Sequence, residues 1–178
     1  MKQQELTARI HKAVVTGLKA RSEYYSAIVL PDEQKLGAPA LESDLKDLEQ
    51  WVGRSLPQSY RTFLGLYNGW RMASGAIDIL SIQEILRGPR ADSIRTWQEM
   101  ARKSGDPVAA RGLVIGYSEV SATKFLLDPD RQDGDGEWTM VGHDKVEEWT
   151  TPSFLSWLEG SVTDFRELLA EERSGPSA

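Results

Sequence analysis

The run from Asp128 to Trp138, DPDRQDGDGEW, places Asp128, Asp130, Asp133, Asp135 and Glu137 within ten positions. Closely spaced carboxylates can form a calcium loop, a surface for a basic partner, or the polar tip of a turn. An EF-hand loop needs oxygen ligands at its first, third and fifth positions, glycine at the sixth and glutamate at the twelfth. Counted from Asp128 the sixth residue is Asp133 and the twelfth is Thr139; counted from Asp130 the fifth is Gly134 and the sixth is Asp135. Neither register fits, which leaves a looser site on Asp130, Asp133 and Asp135 as the metal alternative. Pro, Asp and Gly also cluster where a chain reverses between two strands. The run is therefore expected to be a hairpin tip whose charge is either solvated or offered to a partner.

Other chemistry finds less support. The chain has two histidines, His11 and His143, and no cysteine, so thiolate nucleophiles, disulfides and cysteine-based zinc sites are excluded. Neither histidine accompanies a nucleophile elbow, and His143, beside Asp144, is expected in a turn with its ring in solvent. No glycine loop of a phosphate-binding pattern is present. Glu147 and Glu148 are adjacent, so on a strand they point to opposite faces and cannot share a proton. No catalytic, metal or cofactor-binding residue is assigned.

Trp51, Trp97 and Trp157 lie near apolar helical faces and are expected in the core, while Trp138 and Trp149 fall in strands and could face either way. Trp70 follows Asn68-Gly69 and precedes Arg71. A Trp-Arg pair in a loop has the composition of an interface hot spot; the alternative is a tryptophan folded back over a helix end.

Composition sets wider bounds. The chain has 178 residues, 40% hydrophobic and 27% charged, ordinary values for one globular domain. A net charge of −6 argues against a general nucleic-acid binder. The charge is uneven: residues 54–103 hold eight Lys/Arg against four Asp/Glu, and residues 111–150 hold four against nine. Such a dipolar surface can steer a charged partner, or be no more than solvated faces. No stretch approaches the ~20 apolar residues of a membrane span, and no signal-peptide core opens the chain. A cytoplasmic location is expected.

These residues must be positioned by elements that the periodicity makes legible. Leu6, Ile10, Val14 and Leu18 share one helical face, giving a helix to about Ile28 that stops before Pro31. This N-terminal extension (1–30) is followed by a polar connector (31–38). Leu41, Leu45, Leu48 and Val52 form a second helix ended by Gly53. Pro57 opens a third, with Tyr60, Phe63, Leu64 and Tyr67 on one side, ended at Asn68-Gly69. Residues 76–80 read as a strand, and Ser81-Ile-Gln-Glu84 as a capping box. A helix is expected over about 91–103, then strands at 112–117, 123–128, 137–142 and 146–149. Thr151-Pro152 opens a helix carrying Phe154 and Trp157. A separate final helix, capped within Ser161–Asp164, is expected to 173, with a disordered tail over 174–178.

The order of these signals resembles the SUKH superfamily, which includes the yeast Smi/Knr cell-wall-assembly regulators and many bacterial immunity proteins. The resemblance covers residues 39–160. It rests on Glu49, Gly53, Leu56, Pro57, Tyr60, Phe63, Leu64, Asn68 and Gly69, and on a closing helix with Phe154 and Trp157. It implies an α+β domain with a multi-stranded, largely antiparallel sheet packed by helices, here with an extra N-terminal helix and no catalytic centre. Members act by binding proteins. Bacterial ones commonly occlude a cognate toxin, often a nuclease or deaminase. The expected function is thus an immunity protein; the alternative is a regulatory or scaffolding module of the cell-wall-regulator type. The expected contacts are Trp70 and Arg71 in one region and Asp130, Asp133 and Asp135 in another, facing a basic protein rather than nucleic acid or membrane.

Overall fold

The structure, a computed structural model, describes residues 2–174. Seven strands occupy one sheet in chain order: β1 (Lys35–Leu36), β2 (Trp70–Ser74), β3 (Ile77–Ile79), β4 (Leu113–Tyr117), β5 (Lys124–Gln132), β6 (Trp138–Asp144) and β7 (Val146–Thr151). Every neighbouring pair is antiparallel. Helices α2 (Glu42–Val52) and α3 (Gln58–Leu66) are inserted between β1 and β2. Helices α4 (Ile82–Leu86), α5 (Pro89–Ser104) and α6 (Pro107–Arg111) are inserted between β3 and β4. The chain is flanked by α1 (Gln3–Ala27) and α7 (Phe154–Ser174).

Strands β4, β5 and β6 are buried along most of their length, because helices cover both faces of the sheet centre. Alternate residues of β5 show this. Phe125 stacks edge-on against Trp157 of α7, 5.6 Å between centroids. Lys124, one residue earlier, holds its ammonium 6.0 Å from the Trp97 ring of α5. The outer strands are blunted against further pairing: β1 has two residues, and β7 exposes Glu147 and Glu148.

Leu6, Ile10 and Val14 of α1 enter the main core, and α1 is tied to α7 by Arg9–Glu159 at 2.8 Å. A buried guanidinium strengthens this junction. Arg21, 0% exposed, donates to the Ala73 carbonyl on β2 (2.5 Å) and to Ser161 Oγ on α7 (2.9 Å). Its plane lies 4.5 Å from the rings of both Trp70 and Phe165.

Four expectations are corrected. The connector contains β1. The stretch 70–74, read as a loop, is β2; Met72 there has φ +54°, held by its N–H donating to Asp78 Oδ1 at 2.8 Å. The short helix α6 was not foreseen. The two C-terminal helices are one, because the Ser161 hydroxyl donates back to the Leu158 carbonyl (3.0 Å) and accepts from Arg21, so it does not cap a new helix. The expected tail falls outside the described residues, except that Ser174 ends α7.

Candidate functional site

At the exit of α3 a cleft of about 630 Å³ opens between β1, β2, the start of α4 and the turn after β4. Its wall is built by Asn68 and Gly69. The Asn68 Oδ1 accepts the Ile82 N–H (2.8 Å) and its Nδ2 donates to Gln83 Oε1 (2.8 Å), so this side chain satisfies an otherwise orphaned amide in the first turn of α4. Gly69 has φ +101°, and a Cβ there would stand 3.0 Å from the Ser81 nitrogen and 3.1 Å from the Ile79 carbonyl. Glycine is demanded twice, by the dihedral and by the approach of backbone to backbone.

Arg90 organises the polar floor. It pairs with Asp78 at 2.9 Å, Glu84 at 2.9 Å and Glu119 at 2.7 Å. Each acid also fixes backbone or approaches it: Asp78 holds the Met72 amide, and Glu84 closes the capping box with Ser81. Desolvation pulls the Arg90 pKa down, but the hydrogen bonds to Glu119 and Asp78 and the fields of Glu84 and Asp78 raise it above the usual guanidinium value. In return, the bond from Arg90 holds Glu119 below the usual carboxylate range, against desolvation and with help from the field of Arg71. Arg71 stands at the rim, exposed, in a 3.0 Å pair with Glu33; such a surface pair contributes little.

Trp70, expected beside Arg71 as a contact, is 1% exposed. As the first residue of β2 its ring turns inward, under Arg21. The opposite correction applies to Trp51, expected in the core but 49% exposed at the end of α2. His143 is also corrected: it lies on β6, is 3% exposed, and brings Nε2 to 2.7 Å from Asp106 Oδ2 and its ring edge-on to Trp97. Asp106 caps α6 by accepting from Ala109 N–H at 3.0 Å. Burial opposes its charge, yet this bond and the one with His143 leave it below the usual carboxylate range.

The acidic run spans the end of β5, which reaches Gln132 rather than stopping at 128, and the β5–β6 turn over 133–137. Its charges are mostly committed inside the molecule. Asp128 is buried and pairs with Arg131 (2.6 Å), which also reaches Glu147 (2.6 Å). Asp130 pairs with Arg111 at 2.9 Å. Asp133 Oδ1 accepts the amides of Asp135 and Glu137, both at 2.9 Å, and so closes the turn. Glu137 accepts from the Ser59 amide (2.8 Å) and hydroxyl, capping the first turn of α3. Asp135 projects into solvent. Among the described residues no group of three His, Asp or Glu side chains forms a metal site.

The remaining motif residues brace this arrangement. Glu49 accepts from the Leu56 amide and from Arg61 Nε, each at 3.2 Å, fixing the turn between α2 and α3. Gly53 ends α2 at φ +80°. Leu56 and Pro57 are buried, and Tyr60, Phe63 and Leu64 are 0% exposed. Phe154 lies 5.2 Å from Tyr60, 5.0 Å from Phe63 and 5.6 Å from Trp157. Sequence reasoning missed Arg90 and Arg21. The acids of Arg90 are scattered at 78, 84 and 119, and nothing local links them. Among them the capping box alone was legible, and it pointed to α4 rather than to an ion-pair network.

A meandering antiparallel sheet with helices on both faces, and a charged cleft at the Asn-Gly exit, make this an α+β domain. Residues 39–160 match the SMI1 / KNR4 family (SUKH-1), and the chain belongs to that family. Among proteins with curated descriptions, none matches it. No helix of the described residues is long and apolar enough to cross a membrane.

Proposed function

We propose that this chain is a non-enzymatic protein-binding domain that neutralises a cognate toxin by occluding it. The observation that carries the reading is the Arg90 cleft. Its rim and floor are held by one guanidinium shared among three carboxylates, so the charged surface is ordered before a partner arrives and binding loses little entropy in arranging it. Membership of a family that works by protein association supports the same reading. The net charge of −6 favours a basic partner such as a nuclease, through faster encounter.

Arg71 at the cleft rim and Asp135 at the hairpin tip are the proposed contacts, with Asp130 joining when its pair with Arg111 opens. Reversing Asp130 and Asp135 to lysine slows association and flattens its salt dependence, checked by stopped-flow mixing at two ionic strengths; unchanged kinetics would remove the hairpin from the interface. The functional test is co-expression with a basic enzyme encoded beside its gene. A stoichiometric complex in which the enzyme is inhibited supports immunity. Stable complexes with wall-synthesis or signalling proteins, and no inhibition, establish the scaffolding alternative instead.

A further inference from the structure

A second concavity, of about 510 Å³, runs across the α7 face of the sheet from β3 to β7. Trp149, half-buried, presents its ring to the groove, with Phe125, Trp157 and Phe165 buried beneath at 3%, 7% and 7% exposed, and Leu168 is 40% exposed at the far end. The rings are held in place: Trp149 meets Phe125 edge-on at 5.2 Å, and its indole fills the space above Gly142, where a Cβ would come within 2.1 Å. Glu148 and Asp164 are the charged residues along its walls, both exposed, and no Lys, Arg or His lines it. Among the described residues neither carboxylate has a hydrogen bond or ion pair; Asp164 acts on Arg21 through its field alone. This is the inverse of the Arg90 cleft, where three carboxylates are bound to one cation.

We infer that this groove is a docking site for an arginine-bearing apolar segment of a protein partner. The Trp149 ring, with the unpaired carboxylates of Glu148 and Asp164 at the groove's margin, favours a planar cation, which can stack on a ring while its N–H groups reach a carboxylate. An acidic segment would meet repulsion, and a purely apolar one would leave the charges unanswered. A guanidinium already lies against a ring just behind the groove: Arg21 is 4.5 Å from the Phe165 ring. The wall formed by Asp164, Phe165 and Leu168 lies beyond residue 160, where the family match ends. The inference rests on the proposed reading of the domain as a binder of proteins.

The test uses the full chain and a blocked peptide, Ac-Ala-Arg-Leu-Arg-Ala-NH2, titrated while the tryptophan indole N–H resonances are followed by NMR. The expected result is a saturable shift at Trp149 and Trp157, with a dissociation constant on the order of millimolar for so short a ligand. Glu148→Lys with Asp164→Lys weakens it about tenfold or more, the effect of replacing attraction by repulsion at two charges. Both side chains are exposed, so the double variant keeps its fold. No shift at these indoles, an equal shift in the double variant, or equal binding of an acidic control peptide, Ac-Ala-Glu-Leu-Glu-Ala-NH2, would each overturn the inference. The peptide measurement involves no natural partner. Its failure removes the groove and leaves the binding reading standing, whereas failure of every co-expressed partner removes that reading without touching the peptide result.

Discussion

Two arginines divide the molecule into a welded half and a presented half. Arg21 sits where α1, β2 and α7 meet, with no carboxylate in contact among the described residues; a carbonyl, a serine hydroxyl and two aromatic faces receive it. Burial pulls its pKa down to about 10, still well above neutral pH, so a full charge is enclosed there. Arg90 sits at a cleft mouth, surrounded by acids that raise its pKa. One residue type thus serves two ends. Buried, it joins three elements through two hydrogen bonds and two ring faces. Near the surface, it orders a polar lattice that solvent and a partner can reach.

The sharpest way to break this contrast is to delete both side chains in turn. Arg21→Ala leaves the Ala73 carbonyl and the Trp70 indole face without their partner and opens a void, and should lower the unfolding free energy by about 2–5 kcal/mol. Chemical denaturation measures this; a loss below ~1 kcal/mol, the range of exposed ion pairs, would erase the distinction. Asn68→Ala comes next, at about 1–2 kcal/mol, because the Ile82 amide loses its acceptor. Faster hydrogen exchange at that amide, with the core unchanged, is the confirming pattern.

Arg90→Met should cost about 1 kcal/mol, since part of each ion pair faces water. Its pH dependence carries a definite sign. Glu119 is held below its ordinary value near 4.5, so the network's contribution is present above that pH and is lost as the pH falls through the lower folded value. The stability gap between the native chain and the variant is therefore level from pH 5 to 8 and narrows under acid. A gap that widened on acidification would contradict the network. Smallest are the hairpin charges. Asp133→Lys should cost about 1 kcal/mol by releasing two amides, whereas Asp135→Lys should stay within about 0.5 kcal/mol. Equal melting shifts for the two would show that Asp133 does not hold the turn.

Most of the elements were legible before the structure. Helical stripes such as Leu6, Ile10 and Val14, the Gly53 and Asn68-Gly69 stops, and the Ser81–Glu84 box each depend on neighbours a few residues away. What was misread shares a cause. Trp51 and Trp70 sit in similar local contexts, each near a helix end, and nothing local distinguishes them; Arg21 turns one inward, and the end of α2 leaves the other in solvent. His143, beside Asp144 and past the strand expected to end at 142, was expected in a turn, but the ladder with β5 and β7 carries the strand through that point.

The sequence by itself determined the α+β class, the hairpin around the acidic run, and the motif that places the chain in its family. Those follow from periodicity, glycine dihedrals and turn chemistry, which act over a handful of residues. Tertiary structure alone decided which charges are committed and which are offered. Asp78, Glu84 and Glu119 converge on Arg90 across forty-two positions of chain from first to last, while Glu148 and Asp164 come to line one groove from β7 and α7. Electrostatic pairing depends on distance in space, and that distance is set by how the sheet and helices pack.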